Sequence, residues 1–132
     1  MRIKFKQKKA IKQRDLENAT IKYFRIKDQR FHYISNPKIK KGITRPDLLI
    51  SSKDKAYVIE LKSHSPTLSD ISMVKQASIE FEHNKIRFIE PFIIYPSGKT
   101  RNDVVKFAEV SGVKLISINN IDKFDEQMNY YI

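Results

Sequence analysis

The chain of 132 residues contains no cysteine and only three glycines. Without cysteine there can be no disulfide bond and no Cys-based metal site, which is compatible with the reducing cytoplasm that we predict as its location. Three glycines are too few for a Gly-rich phosphate loop or a dinucleotide fingerprint, so no nucleotide cofactor is expected.

Long apolar runs are also missing from the sequence. The continuous run at 92–95 is far too short to span a bilayer, so we expect no membrane association. The basic residues 1–14 are followed by no apolar signal-peptide core, and nothing in the sequence therefore indicates export.

Acidic residues are scarce in the first third of the chain. Up to and including Arg45 there are 15 basic and 3 acidic residues, whereas from Pro46 onward there are 11 basic and 12 acidic residues. The entire net charge of +11 therefore comes from the segment before Asp47. Such segregation favours a polyanionic partner, and nucleic acid is the obvious one. The alternative is a basic surface that only keeps the chain soluble.

Length and composition favour one domain with a real core, since 40% of the residues are hydrophobic and 11% aromatic. Apolar spacing and turn signals predict the element order α-β-β-β-α-β-α-β. Within it we expect a basic arm over 1–12, a core over 13–118 and a C-terminal helix or tail over 119–132. The alternation predicts an α/β fold whose mixed central sheet is flanked by helices on both faces.

Particular residues mark the ends of two predicted elements. Thr67 or Ser69 can cap a helix that continues to about residue 84, and Asp70 suits its first turn. Pro91 interrupts an apolar run that ends at residue 95, so a buried strand is predicted to begin at Phe92.

The strongest functional signal lies in two strand-like runs, 46–50 and 56–62, which are joined by a short polar turn and predict a hairpin. Because strand side chains alternate with period 2, Glu60 and Lys62 share one face and lie about 7 Å apart. Charged residues at the end of so apolar a strand are out of pattern and indicate a function.

Asp47 and Glu60 on neighbouring strands provide a pair of carboxylates. Hard cations such as Mg²⁺ prefer oxygen ligands of this kind, and the backbone carbonyl of Leu61 could add another. A metal held there polarises a scissile phosphate and lowers the pKa of bound water. Lys62 could orient or deprotonate that water, or stabilise the transition state.

Each of these residues also has a simpler interpretation. Asp47 could be a turn residue that starts a strand. Glu60 and Lys62 could form an exposed ion pair worth at most about 1 kcal/mol. The register of all three residues favours metal binding and catalysis over these alternatives.

The segments Pro46-Asp47 and Glu60-Leu61-Lys62 resemble the motif of the PD-(D/E)xK nuclease superfamily. Its members include type II restriction enzymes, archaeal Holliday-junction resolvases, and Mrr-type and TnsA-type endonucleases. The resemblance covers roughly residues 13–118 and implies a restriction-endonuclease-like αβββαβ core with the motif on its second and third strands. It implies an endonuclease that hydrolyses DNA phosphodiesters with Mg²⁺, for which Mn²⁺ can substitute.

The resemblance also extends the set of site residues. The first helix of the family often contributes a glutamate, which Glu17 matches as a catalytic residue and metal ligand. Gln76 matches, as a further catalytic residue, a glutamine that some branches carry on the helix after the motif, but Glu80 stands where RecB-like relatives have a tyrosine. Ser35 is the available match to a loop serine of the resolvases. Both Glu17 and Gln76 could instead be ordinary solvated residues.

The expected partner is duplex or branched DNA, and the resemblance to resolvases implies a homodimer that cuts both strands. The residues predicted to contact DNA are Lys8, Lys9, Lys12, Arg14, Ser35, Lys38, Lys40, Lys41 and Arg45. Two alternatives remain open: a binding module that does not cleave, and a subunit active only within a restriction or transposition complex.

Overall fold

The computed structural model of the chain describes residues 11–27, 32–35, 46–51, 55–83, 89–96 and 98–132. Its elements confirm the predicted order, and a 3-10 helix and a short α-helix lie within the predicted C-terminal helix or tail. They are α1 (Gln13–Lys27), β1 (His32–Ser35), β2 (Leu48–Ser51), β3 (Ala56–Leu61), α2 (Leu68–His83), β4 (Ile89–Pro96), α3 (Asn102–Ser111), β5 (Lys114–Ile118), a 3-10 helix (Ile121–Lys123) and α4 (Phe124–Tyr131).

The five strands form one mixed sheet in the order β1-β2-β3-β4-β5. Strands β1, β2 and β3 pair antiparallel, as a meander. Strand β4 pairs parallel to β3, and β5 pairs parallel to β4, so α2 and α3 are the crossover helices. The α/β fold class with a mixed central sheet is therefore confirmed.

Each face of the sheet has its own hydrophobic core. Tyr57, Ile59 and Leu61 of β3 belong to the core that also contains Leu16 of α1 and Phe124 of α4. Ala56 and Val58 belong to the opposite core, which α2 and α3 cover with residues such as Ile71 and Val104. The period-2 alternation of β3 thus assigns Glu60 and Lys62 to the α2 and α3 face.

The predicted start of β4 at Phe92 is wrong, because the strand begins at Ile89 and passes through Pro91. Pro91 lies opposite Val58 of β3, whereas pairing with β5 begins only at Phe92. Proline is tolerated there because the β5 side of β4 is not yet paired at residue 91. The missing N–H of Pro91 therefore removes no hydrogen bond to β5.

Helix α3 ends at Ser111, and Gly112 directly after it adopts a left-handed φ of 73°. That conformation lets the N–H groups of Gly112 and Val113 bond to the carbonyls of Glu109 and Ala108. No helix in the described part of the chain is long and apolar enough to cross a membrane.

Candidate active site

Asp47 and Glu60 meet at the end of the β2–β3 hairpin. The antiparallel register places Leu48 opposite Ile59, so the next opposed pair along the strands is Asp47 and Glu60. The Oδ2 atom of Asp47 accepts a hydrogen bond of 2.7 Å from the N–H of Leu61. This bond fixes the Asp47 carboxylate beside the end of β3, next to the side chain of Glu60.

Glu60 is half-buried, and its environment opposes ionisation. Burial, a hydrogen bond with Asp47 and the negative charge of Asp47 together raise the pKa of Glu60 to about 9. Glu60 therefore holds a proton beside the Asp47 carboxylate. A divalent cation bound to both oxygens would replace that proton.

The backbone of Leu61 adds a third oxygen on the same side of the strand. The N–H of Leu61 points to Asp47, while the N–H of Lys62 donates to the carbonyl of Ile94 in β4. Since the N–H and C=O of one strand residue point the same way, the Leu61 carbonyl points toward the Asp47 side. The candidate metal ligands, Asp47, Glu60 and the Leu61 carbonyl, would all bind through oxygen, which Mg²⁺ and Mn²⁺ prefer.

Lys62 makes its ion pair with Asp70 at the start of α2, with 2.9 Å between Nζ and Oδ1. Burial alone would lower the pKa of Lys62, but the hydrogen bond and charge of Asp70, with the charges of Glu60 and Asp47, raise it. Burial likewise opposes ionisation of Asp70, yet hydrogen bonds from Thr67 and Lys62 hold its pKa below the ordinary value. Lys62 is therefore an ammonium group, held close to the carboxylate pair.

Asp70 also caps α2. Its Oδ2 accepts the N–H of Thr67 at 2.8 Å, and its own N–H donates to the Thr67 Oγ1 at 3.2 Å. This reciprocal pair is a capping box, so Thr67 rather than Ser69 is the cap. The sequence predicted Asp70 in the first turn but not its contact with Lys62, because that contact depends on how α2 packs on the sheet.

Helix α1 reaches the site through Gln13, which the sequence did not single out. Its Nε2 donates a hydrogen bond of 3.0 Å to Oδ1 of Asp47. Glu17 is half-buried and lies one turn along the same helix face. A role for Glu17 in catalysis or metal binding stays a prediction.

The basic residues predicted to contact DNA divide into two groups. Lys12 and Arg14 are exposed on either side of Gln13, which touches Asp47. The others lie outside the described residues: Lys8, Lys9, Lys38, Lys40, Lys41 and Arg45. Ser35 is the last residue of β1, and its side chain is outside the described part.

Gln76 is exposed on α2 and donates a hydrogen bond of 3.4 Å to Glu80, one turn further on. This hydrogen bond lies within α2 and does not connect Gln76 to Asp47 or Glu60. Among the described residues, no group of three or more His, Cys, Asp or Glu side chains is arranged to hold a metal. A cation at Asp47 and Glu60 would therefore take its remaining ligands from Leu61, water and phosphate.

No protein-family model and no curated protein matches the sequence. Solved structures do match: a repair endonuclease from Pyrococcus abyssi superposes with a TM-score of 0.66 at 18% identity, over 85% of this chain and 49% of that one. EndoMS in complex with double-stranded DNA superposes with a TM-score of 0.58 at 15% identity, over 89% of this chain and 49% of that one. The small subunit of the heterodimeric restriction endonuclease R.BspD6I superposes with a TM-score of 0.50 at 9% identity, over 89% of this chain and 68% of that one.

These likenesses define the fold. The chain has the restriction-endonuclease-like fold of the PD-(D/E)xK nucleases, as its motif predicted. It spans about half the length of the repair endonuclease and of EndoMS.

Proposed function

We propose that this protein is a metal-dependent endonuclease that hydrolyses phosphodiester bonds of duplex or branched DNA. The observation that carries the proposal is the apposition of Asp47 and Glu60, which lie half-buried opposite each other at the end of the hairpin, one residue before Leu61 and its neighbour Lys62. A hairpin that served only the fold would gain nothing from a carboxylate, Asp47, placed where it opposes the ionisation of Glu60.

Asp47, Glu60 and the Leu61 carbonyl are the residues that would hold Mg²⁺ or Mn²⁺. When bound, the ion supplies positive charge to the scissile phosphate and acidifies the attacking water. The hydrogen bonds from Leu61 and Gln13 orient Asp47 toward Glu60 before any ligand arrives. This preorganisation means that little rearrangement is needed at the moment of reaction.

Lys62 has two roles open to it, as a base toward water or as a cation toward phosphate. The ion pair with Asp70 favours the second, because it stabilises the protonated amine. An ammonium beside the carboxylates would donate hydrogen bonds to a phosphate oxygen as negative charge develops there. We therefore assign Lys62 to transition-state stabilisation.

The length comparison favours a second form of the same activity. The chain spans 49% of the repair endonuclease and 49% of EndoMS. It could thus be a nuclease domain that needs further protein for full activity, within a larger assembly or as a homodimer. In that case the purified chain binds DNA but cleaves it slowly alone.

The function is tested by incubating purified protein with a labelled four-way junction and a matched linear duplex, in Mg²⁺, Mn²⁺ or EDTA. Cleavage in either metal and none in EDTA supports the nuclease, and the preferred substrate separates a resolvase from a general endonuclease. Tight, salt-sensitive binding without cleavage in any metal would overturn an enzyme that acts alone and favour a binding module or a missing partner.

A double substitution, Lys12→Ala with Arg14→Ala, is expected to weaken DNA binding about tenfold and to reduce the slope of log K against log salt by about 2. Both side chains are exposed where α1 begins, next to the Gln13 contact with Asp47. Binding is measured by fluorescence anisotropy at several salt concentrations.

The matched control is Arg25→Ala with Lys27→Ala, which removes the same charge from the far end of the same helix, roughly 20 Å away. Equal losses in the two double variants would indicate nonspecific attraction by the whole helix and contradict a DNA path past Asp47.

A further inference from the structure

Asp70 divides its two carboxylate oxygens between two tasks. Oδ2 accepts the N–H of Thr67 and so belongs to the helix cap, whereas Oδ1 lies 2.9 Å from Nζ of Lys62. A cap alone requires only one of these oxygens. The second oxygen connects the start of α2 to the residue that follows β3.

Asp70 is buried, with 8% of its surface exposed, although acidic residues are rarely buried without a partner. The Lys62 side chain keeps 26% exposure, so part of it remains open to solvent while it is paired. The backbone of Lys62 is fixed as well, because its N–H bonds to the carbonyl of Ile94. The pair therefore holds a long, flexible side chain at one place beside the candidate site.

Besides Asp70, the carboxyl groups that act on Lys62 are those of Glu60 and Asp47. A lysine that moved onto those carboxylates would neutralise them and compete with any cation they bind. The position of the Lys62 ammonium beside the Asp47–Glu60 pair, rather than on it, depends on the competing carboxylate of Asp70 on α2.

We propose that Asp70 is a positioning residue, which holds the Lys62 ammonium beside the Asp47–Glu60 pair and keeps it from occupying that pair in place of a divalent cation. The inference rests on the proposed nuclease function. It assigns Asp70 a part in the reaction that capping α2 does not explain.

Two variants separate the cap from the ion pair. Asp70→Asn keeps an oxygen that can accept the N–H of Thr67 but loses the charge that pairs with Lys62. Thr67→Ala removes the hydroxyl that accepts the N–H of Asp70 and leaves the Asp70–Lys62 pair in place. Asp70→Glu, which restores the charge on a longer side chain, tests rescue.

The variants are compared by Mn²⁺ titration followed by electron paramagnetic resonance, and by single-turnover cleavage of labelled DNA. We expect Asp70→Asn to weaken Mn²⁺ binding about tenfold and to slow cleavage about 10–100-fold, with DNA affinity unchanged. Thr67→Ala is expected to lower Tm yet to stay within about twofold of the wild type in both assays. Asp70→Glu should recover part of the loss.

A cycle with Lys62→Ala tests whether Asp70 acts through the lysine. Asp70→Asn should cause no further loss of cleavage in the Lys62→Ala background. Three results would overturn the positioning role without touching the proposed function. Asp70→Asn could cause further loss in the Lys62→Ala background, Asp70→Asn could bind Mn²⁺ and cleave DNA like the wild type, or Thr67→Ala could have an effect equal to that of Asp70→Asn. Failure of the wild-type protein to cleave in any metal overturns the proposed function as an enzyme that acts alone, and with it this inference.

Discussion

Replacing Asp47 with asparagine is expected to slow metal-dependent DNA cleavage about a thousandfold, the equivalent of about 4 kcal/mol of transition-state stabilisation. Asparagine retains an oxygen to accept the N–H of Leu61, which the Asp47 Oδ2 accepts in the structure. It lacks the negative charge that a divalent cation requires. The loss should therefore appear in the cleavage rate and not in the fold.

The measurement is single-turnover cleavage in Mg²⁺ and Mn²⁺, with Tm and DNA affinity determined on the same preparations. Asp125→Asn is the matched control, because Asp125 is an exposed acid in the first turn of α4. Cleavage by Asp47→Asn within tenfold of the wild type would show that the reaction does not depend on this carboxylate.

Glu60→Gln is expected to stabilise the metal-free protein while it abolishes cleavage. Burial and Asp47 raise the pKa of Glu60 from 4.5 to about 9. Between those values the folded protein holds a proton that the unfolded chain has released, so stability falls as pH rises through this window. Glutamine cannot ionise, and the variant avoids that loss.

At pH 8 and without metal we expect Glu60→Gln to be more stable by about 1–3 kcal/mol, a Tm increase of roughly 3–10 °C. Near pH 5 most of the difference should disappear, because Glu60 is then protonated in the folded protein. Thermal melts at the two pH values, with EDTA present, provide the measurement. A variant that is no more stable than the wild type at pH 8 would show that the two carboxylates do not oppose each other.

These two predictions together distinguish a functional pair from a structural one. When an ion pair or hydrogen bond serves only the fold, changing either of its members destabilises the folded protein. A carboxylate retained for cation binding can be replaced with a gain in stability and a loss of activity. Glu60 is the residue at which the two expectations differ most.

The fold was largely predictable because its signals are local. Tyr57, Ile59 and Leu61 alternate with Glu60 and Lys62, and that alternation predicts which side chains share a face. The antiparallel register of β2 and β3 then places Asp47 opposite Glu60. The start of β4 was not predictable in the same way, since tolerance of Pro91 depends on which neighbour β4 has at that point.

The contacts around the site depend on packing between distant elements, and the sequence carries little signal for them. Gln13 reaches Asp47 across 34 residues of sequence. Asp70 has a clear local signature as a helix cap, which explains its presence and hides its contact with Lys62. A capping residue a few positions after a candidate catalytic lysine is therefore worth examining as that lysine's partner.

The central claim is that Asp47 and Glu60 form the cation site of a nuclease. Titration of Mn²⁺ into the wild-type protein, Asp47→Asn, Glu60→Gln and Asp125→Asn, followed by electron paramagnetic resonance, tests it most directly. We predict that the wild type and Asp125→Asn each bind one Mn²⁺, and that Asp47→Asn and Glu60→Gln bind it at least tenfold more weakly. DNA cleavage by the wild type should be half-maximal at the Mn²⁺ concentration that half-fills the site. Equal Mn²⁺ binding by all four proteins, or no binding by the wild type, would contradict the claim.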